Sequence, residues 1–235
     1  MKLAGAFAAV LALSVLPAGA ATRPAAKPPA THDWAQTVVV TPEGGYRMGN
    51  PGARVKLVEY GSLACPHCRH FEETGFKPLI DGYVRSGKVS YEFRNLLISG
   101  PDLSISLLTR CAGPGKFFPM SQFVYATQKQ WQDKIAGMSE VEKAALDQMT
   151  DQQRIVRYAE LGDMAPIAAK FGLTTAEARQ CLADTKGQTR LINMTQAAMD
   201  GGINHTPTFL VNGEKTDAAT WEDLEPLIRK AIGHG

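Results

Sequence analysis

Residues 55–68 read VKLVEYGSLACPHC, a β-branched and apolar run followed by a turn that ends in two cysteines. The run from Val55 to Tyr60 predicts a strand. A helix is predicted from Pro66 to about Arg85, because proline is favoured at the first position of a helix. The two cysteines then lie on the first helical turn after a strand. A C-x-x-C pair in that position is typical of a redox-active dithiol.

Composition sets the broad class of the protein. Of its 235 residues, 44% are hydrophobic and 20% are charged, as in an ordinary globular protein. The 25 basic and 23 acidic residues give a net charge of +2, which is too small to steer nucleic acid or a membrane surface. We therefore expect no nucleic-acid partner. Four cysteines are too few for a small disulfide-rich scaffold.

The first 20 residues predict a signal peptide. Lys2 supplies a basic start, Leu3 to Leu16 is an uncharged apolar run, and Ala18-Gly19-Ala20 is a small-residue cleavage site. An uncleaved anchor is the alternative, but the run is shorter than the roughly 20 residues that span a bilayer. We expect cleavage after about Ala20, a flexible Pro- and Ala-rich leader over 21–33, and export to the periplasm.

The rest of the chain alternates strands and helices, with one strandless interruption. Strands are predicted at 37–40, 55–60, 88–97, 208–211 and 214–216, and a Gly- and Pro-rich loop at 42–52. Only helical patterns occur over 102–184, and amphipathic helices follow at about 186–200 and 221–232. We therefore predict an α/β fold. Segments 34–101 and 185–235 form a mixed sheet flanked by helices, and an all-helical domain is inserted at 102–184.

The residue types of the C-x-x-C segment indicate a reactive thiol. Cys65 stands at a helix N-terminus, where unpaired N–H groups and the helix dipole favour an anion and lower the pKa of the thiol. His67, as a cation or through an N–H, would stabilise the thiolate further. Stabilising the thiolate favours the dithiol form, which makes the disulfide a stronger oxidant. Cys68 lies one turn further in and is predicted to be the resolving thiol.

Metal binding is the alternative explanation for a C-x-x-C pair. A structural zinc site needs two further ligands, but Cys111 and Cys181 are single and no H-x₃₋₅-H pair is present. We therefore expect no metal, and no cofactor besides the redox-active Cys65–Cys68 disulfide. A copper- or zinc-binding protein that uses these thiols and a histidine remains a non-enzyme alternative, which the metal content of the purified protein would test.

A second motif lies near the C-terminus, where Thr206-Pro207 precedes the sequence TFLVNG of residues 208–213. Together with VEY at 58–60 and CPHC at 65–68, it resembles the DsbA-like branch of the thioredoxin superfamily over about residues 45–233. The Pro66-His67 insert matches that of the branch. The resemblance implies a thioredoxin fold with an inserted helical domain. It also implies a cis peptide bond before Pro207, beside the disulfide, and a Thr206 backbone that pairs with an extended substrate.

The resemblance also implies a role for Glu59, six residues before the first cysteine. An acidic residue there lies buried behind the disulfide and helps proton transfer from the resolving thiol. Glu59 shares strand parity with Val55 and Leu57, which favours an inward side chain. A solvated carboxylate at the end of the strand is the alternative.

The function implied by the resemblance is that of a periplasmic thiol oxidase. A reduced, unfolded secreted protein would form a mixed disulfide on Cys65, and a DsbB-like, quinone-linked membrane partner would reoxidise the pair. A disulfide isomerase or reductase is the alternative, because Thr206 stands where DsbA-like oxidases commonly have Val. The residues between 21 and 55 are too few for the N-terminal dimerisation domain of that isomerase branch, and we expect a monomer.

The remaining cysteines, Cys111 and Cys181, both fall in the helical block. Export predicts that they form a structural disulfide, with two buried free thiols as the alternative. Closing so long a loop would stabilise the fold by roughly 4 kcal/mol in the chain-entropy account.

Overall fold

The computed structural model describes Met1 and residues 32–233, so the predicted signal peptide and most of the predicted leader lie outside the described residues. Within this part of the chain, one sheet holds six strands in the order β1-β2-β4-β3-β5-β6. The strands are β1 (Val38–Val40), β2 (Tyr46–Gly49), β3 (Val55–Gly61), β4 (Val89–Asn95), β5 (Thr208–Val211) and β6 (Glu214–Lys215). Because β3 and β4 run parallel and the other neighbours antiparallel, the predicted mixed sheet is confirmed.

Helices cover most of the remaining described residues. They are α1 (Pro66–Phe71), α2 (Lys77–Leu79), α3 (Gly100–Cys111), α4 (Pro114–Ala126), α5 (Gln128–Ala136), α6 (Glu140–Asp147), α7 (Asp151–Leu161), α8 (Ala165–Lys170), α9 (Thr175–Leu182), α10 (Thr185–Asp200) and α11 (Trp221–Gly233). None of the helices in the described part of the chain is long and apolar enough to cross a membrane.

The crossover from β3 to β4 carries the C-x-x-C segment. It begins with α1 and continues through two π-helical turns, Glu72–Phe76 and Ile80–Val84, which flank α2. The sequence predicted a kink or break near Gly75 and Pro78, and the irregular π-helical geometry falls around these residues. A Cβ atom on Gly75 would lie 2.7 Å from Phe71 Cε2, so the close packing of this segment requires glycine.

The predicted loop over 42–52 is wrong in part, because β2 lies within it. This strand pairs with both β1 and β4 and places Tyr46 and Met48 in the core. Only four residues long, it is bounded on both sides by turn-forming glycines and prolines, which dominate the local sequence. Its pairing with two neighbouring strands determines the structure.

Helices α3 to α9 follow one another between β4 and α10, as the strandless pattern predicted. Their buried side chains continue the core of the sheet, and the Phe117 ring stacks on the Tyr46 ring with centroids 3.9 Å apart. Ser139, Thr150 and Thr174 start three of the helices with reciprocal capping boxes. The domain boundaries at 102 and 184 stay predictions.

Candidate active site

The two cysteines of the C-x-x-C segment lie at the start of α1. Cys65 is the N-cap residue and Pro66 the first helical residue, so Cys68 follows within the first turn. Both are free thiols, with exposed fractions of 4% for Cys65 and 1% for Cys68. Both residues are therefore buried.

Cys65 is the acidic thiol of the pair. Its pKa is lowered from 9.0 to about 5, chiefly by a hydrogen bond with the Cys68 side chain, while burial opposes the shift. The Thr206 side chain and the backbone N–H groups of His67 and Cys68 lower it further. These N–H groups belong to the helix N-terminus, where no intrahelical acceptor is available to them. Cys65 is therefore a thiolate at neutral pH in the reduced protein.

The pKa of Cys68 moves in the opposite direction. Burial raises it well above the ordinary value, and the hydrogen bond with Cys65 and the charges of Glu59 and Cys65 add to this. Cys68 therefore keeps its proton while Cys65 loses one. The reduced pair is a thiolate and a thiol that share one proton.

Glu59 lies on the buried face of β3, where the alternation with Val55 and Leu57 predicted it. Its side chain is 2% exposed, and Tyr91 Oη donates a hydrogen bond to Glu59 Oε2 at 2.5 Å. Burial raises the pKa of Glu59 to about 8; the hydrogen bond from Tyr91 opposes the rise and the charge of Cys65 adds to it. The carboxyl group is therefore largely protonated at neutral pH.

A second carboxyl group with a raised pKa belongs to the half-buried Glu72, one helical turn beyond Cys68. Burial raises its pKa to about 8, the Gln122 side chain opposes the rise, and the charge of Glu59 adds to it. Sequence reasoning did not single out this residue. The spacing of four from Cys68 was the available signal, since residues four apart share a helix face.

The Thr206–Pro207 motif lies directly against the first cysteine. The peptide bond between them is cis, and Cys65 Sγ lies 3.3 Å from the Thr206 carbonyl oxygen, to which it donates a hydrogen bond when protonated. Strand β5 begins at the next residue and pairs antiparallel with β3, with Tyr60 opposite Thr208. The pairing of β5 with β3 brings Thr206 to Cys65, although the two residues are 141 positions apart in the sequence.

His67 and Pro66 are both exposed beside the two thiols. The sequence allowed His67 to stabilise the thiolate through its ring or through an N–H. In the structure, its backbone N–H is among the groups that lower the pKa of Cys65.

The other two cysteines are joined. A disulfide links Cys111, the last residue of α3, to Cys181 in α9, with their Cα atoms 6.0 Å apart. The link encloses the helices between α3 and α9.

Comparison of the sequence with protein-family models identifies the family of this chain. A family model described as thioredoxin matches residues 41–230. The chain belongs to the thioredoxin family. The match includes the C-x-x-C segment, the Thr206–Pro207 motif and the helices between them.

Several named proteins are similar to this member of the thioredoxin family. A Rickettsia bellii protein named as a protein-disulfide oxidoreductase is 28% identical over 186 residues, which are 79% of this chain and 63% of the relative. The chain thus spans about 60% of the length of the Rickettsia relatives it matches. Disulfide bond formation protein D of Bacillus subtilis is 21% identical over 79% of this chain and 76% of that protein.

Solved structures are similar over most of the described chain. A protein-disulfide isomerase from Novosphingobium aromaticivorans aligns with a TM-score of 0.76 and 28% identity, covering 80% of this chain and 97% of that one. The α-DsbA1 protein of Wolbachia pipientis aligns with a TM-score of 0.66 and 22% identity, covering 83% and 94%. At that identity the second likeness concerns the fold alone.

Proposed function

We propose that this protein is a thiol:disulfide oxidoreductase that donates the Cys65–Cys68 disulfide to folding secreted proteins. The observation that carries the proposal is the opposite displacement of the two thiol pKa values, down to about 5 at Cys65 and well up at Cys68. A stabilised Cys65 thiolate favours the reduced pair and so makes the disulfide a ready electron acceptor. The names of the Rickettsia and Bacillus relatives support the same chemistry.

The proposed reaction is two thiol–disulfide exchanges. A substrate thiolate attacks Cys65 Sγ, a substrate–Cys65 bond forms, the Cys65–Cys68 bond breaks, and Cys68 leaves with the electron pair. A second substrate thiolate then attacks the substrate sulfur of the mixed disulfide, and Cys65 leaves as a thiolate. The substrate loses two electrons and gains a disulfide, and both active-site cysteines end reduced. The acidity of Cys65 makes it a good leaving group in this second step.

Glu59 supplies the proton that the first exchange requires. Cys68 leaves as an anion in a buried site that strongly favours its neutral form. Glu59, with a pKa of about 8, holds a proton at neutral pH and acts electrostatically on Cys68. Transfer of this proton to Cys68 removes the buried charge on the thiol, which is the role of a general acid.

The extended backbone at Thr206 is the proposed binding element for substrate. Thr206 is half-buried and its carbonyl oxygen faces Cys65 at 3.3 Å, next to the start of β5. A substrate strand that pairs with this backbone would bring its cysteine against Cys65. Main-chain pairing of this kind accepts many sequences, as an oxidant of diverse secreted proteins requires.

Location and partners follow from the same proposal. Disulfide donation suits an oxidising compartment, the periplasm, which the predicted signal peptide with cleavage after about Ala20 would reach. Each turnover leaves the pair reduced, so an electron acceptor must restore it. We assign that part to a DsbB-like membrane partner linked to quinone, and we expect the protein to act as a monomer.

A disulfide isomerase or reductase is the second candidate. Thr206 in place of the Val common in DsbA-like oxidases favours it, as does the likeness to the protein-disulfide isomerase of Novosphingobium aromaticivorans. A metal-binding function has less support. Within residues 32–233, no three His, Cys, Asp or Glu side chains are grouped as a metal site would need.

Trapping of the mixed disulfide tests the proposed chemistry. The Cys68→Ser variant keeps Cys65 with a hydroxyl donor in place of the Cys68 thiol, and it lacks the thiol that would release a bound substrate. It should therefore accumulate a covalent complex with a substrate disulfide. The matched Cys65→Ser variant should not. Equal trapping by both variants, or by neither, would contradict the assignment of Cys65 as the sulfur that forms the mixed disulfide. Oxidation of a reduced, unfolded test protein by the wild type then measures the direction of transfer.

A further inference from the structure

The loop that leads into Cys65 is held by side chains of the helical insertion. Residues 62–65 connect β3 to α1, and each of their four carbonyl oxygens accepts a hydrogen bond from α4 or α5. Tyr125 Oη donates to Ser62 O at 3.1 Å, and Gln132 Nε2 donates to Ala64 O at 2.7 Å. Gln128 Nε2 donates twice, to Leu63 O at 2.9 Å and to Cys65 O at 3.0 Å.

These contacts come from one side of the α4–α5 junction. Gln128 is the first residue of α5, and Gln132 follows four positions later on the same face of the helix. Loop residues Ser62 to Cys65 are all buried, so carbonyl oxygens without donors there would be costly. Ser62 O and Cys65 O also accept backbone N–H groups, from Cys65 at 3.2 Å and from Arg69 at 3.1 Å. The insertion therefore supplies the donors to Leu63 O and Ala64 O and a second donor to Cys65 O.

Gln128 is distinctive among these donors because it contacts the peptide group of Cys65 itself. Its side chain is 0% exposed, and both of its contacts go to the loop, one of them to Cys65. In the described part of the chain, its Oε1 atom is buried without a protein donor. An apolar side chain of similar size would leave no such oxygen. The two hydrogen bonds from Nε2 therefore account for an amide side chain at this position.

We infer that Gln128 is a positioning residue that sets the acidity of Cys65. The inference rests on the proposed function and extends it to the helical insertion. Thiolate stabilisation depends on the alignment of Cys65 Sγ with the Cys68 thiol first, and then with Thr206 and the backbone N–H groups of Cys68 and His67. The peptide group after Cys65 fixes that alignment. Its carbonyl oxygen accepts the Arg69 N–H within α1, and Gln128 is the side chain from outside α1 that donates to the same oxygen.

The test compares two leucine variants in the full chain. Gln128→Leu removes both donors, while Gln188→Leu removes a matched amide that donates to the Leu182 carbonyl oxygen at 2.9 Å from α10. The readout is the thiolate absorbance of Cys65 followed across pH, with unfolding midpoints measured in parallel. We expect Gln128→Leu to raise the pKa of Cys65 by about one unit, a tenfold loss in the ratio of thiolate to thiol. Gln188→Leu should leave that pKa unchanged.

An unchanged Cys65 pKa in a folded Gln128→Leu protein would overturn the inference and leave the proposed function intact. If wild-type Cys65 itself titrated near 9, the proposed function would fail as well. If Gln128→Leu did not fold, Gln128→Met would decide, because its flexible, unbranched side chain is of similar length and lacks the amide. The same rise of the Cys65 pKa is expected, and no rise in a folded Gln128→Met protein would contradict the inference.

Discussion

Tyr91 and Glu59 form a buried hydrogen-bonded pair, with the tyrosine hydroxyl 2.5 Å from a carboxylate oxygen. Both side chains are 2% exposed, and they lie on the adjacent parallel strands β4 and β3. A donated hydrogen bond favours the ionised carboxylate, whereas burial favours the protonated form. Burial prevails, and the pKa of Glu59 lies at about 8. Tyr91 thereby keeps the proton of Glu59 exchangeable near neutral pH.

Tyr91→Phe should raise the pKa of Glu59 above 8. The variant removes the donor that favours the carboxylate and leaves the burial unchanged. Carboxyl titration followed by NMR would measure the shift. Tyr46→Phe is the matched control, because it removes a hydroxyl that donates to Arg110 O at 3.0 Å. A Glu59 pKa that stayed at 8 or fell in Tyr91→Phe would contradict the pairing.

Glu59→Gln should remove an inflection near pH 8 from the pH profile of disulfide transfer. The amide cannot give a proton to Cys68, so the rate below pH 8 should fall by about 100-fold, the lower end of what a general acid contributes. Stopped-flow rates of substrate oxidation across pH give the profile. Glu72→Gln is the control, because that carboxyl group has a similar pKa. Loss of the inflection in the Glu72 variant alone would show that Glu72, and not Glu59, supplies the proton.

The reduction potential of the Cys65–Cys68 pair should depend weakly on pH near neutrality. Between about pH 5 and neutral pH, reduction takes up two electrons and one proton, because Cys65 stays ionised and Cys68 is protonated. The potential should then fall by about 30 mV per pH unit, and by about 60 mV below pH 5 where both sulfurs bind protons. Equilibration with glutathione at several pH values measures the slope. A slope of about 60 mV through neutral pH would mean that Cys65 is an ordinary thiol.

The disulfide between α3 and α9 should contribute to stability. Cys111 and Cys181 are 70 positions apart, and loss of the closed loop should lower the free energy of unfolding by about 4 kcal/mol. Urea unfolding of the Cys111→Ala/Cys181→Ala variant, compared with the wild type, measures this change. Equal stabilities would show that the loop closure contributes nothing in the native protein.

The sequence sufficed for the parts of the fold that rest on local pattern. The alternation of Val55, Leu57 and Glu59 predicted an inward carboxyl group, and the strandless stretch after residue 102 predicted helices. The C-x-x-C spacing after a strand predicted thiols on a first helical turn, where the structure has them. Each of these features depends on neighbours within a few residues.

The features that the sequence missed depend on distant contacts. Strand β2 exists because β1 and β4 pair with it on both sides. Tyr91 reads as an ordinary inward strand residue until the parallel register places it diagonally across from Glu59. Gln128 reads as a polar residue at a helix start, and only the packing of α5 on the loop brings it to Cys65, 63 positions away. The hydrophobic periodicity of a short segment cannot predict contacts between residues so far apart in the sequence.

Whether the protein donates disulfides is decided by the redox equilibrium of Cys65–Cys68 with glutathione at pH 7, together with the thiolate titration of Cys65. We expect a Cys65 pKa of about 5 and a pair that oxidises glutathione readily, as a disulfide donor must. A Cys65 pKa near 7 with a reducing potential close to the roughly −270 mV of thioredoxin would contradict it. That result would assign the protein to reduction or isomerisation of disulfides.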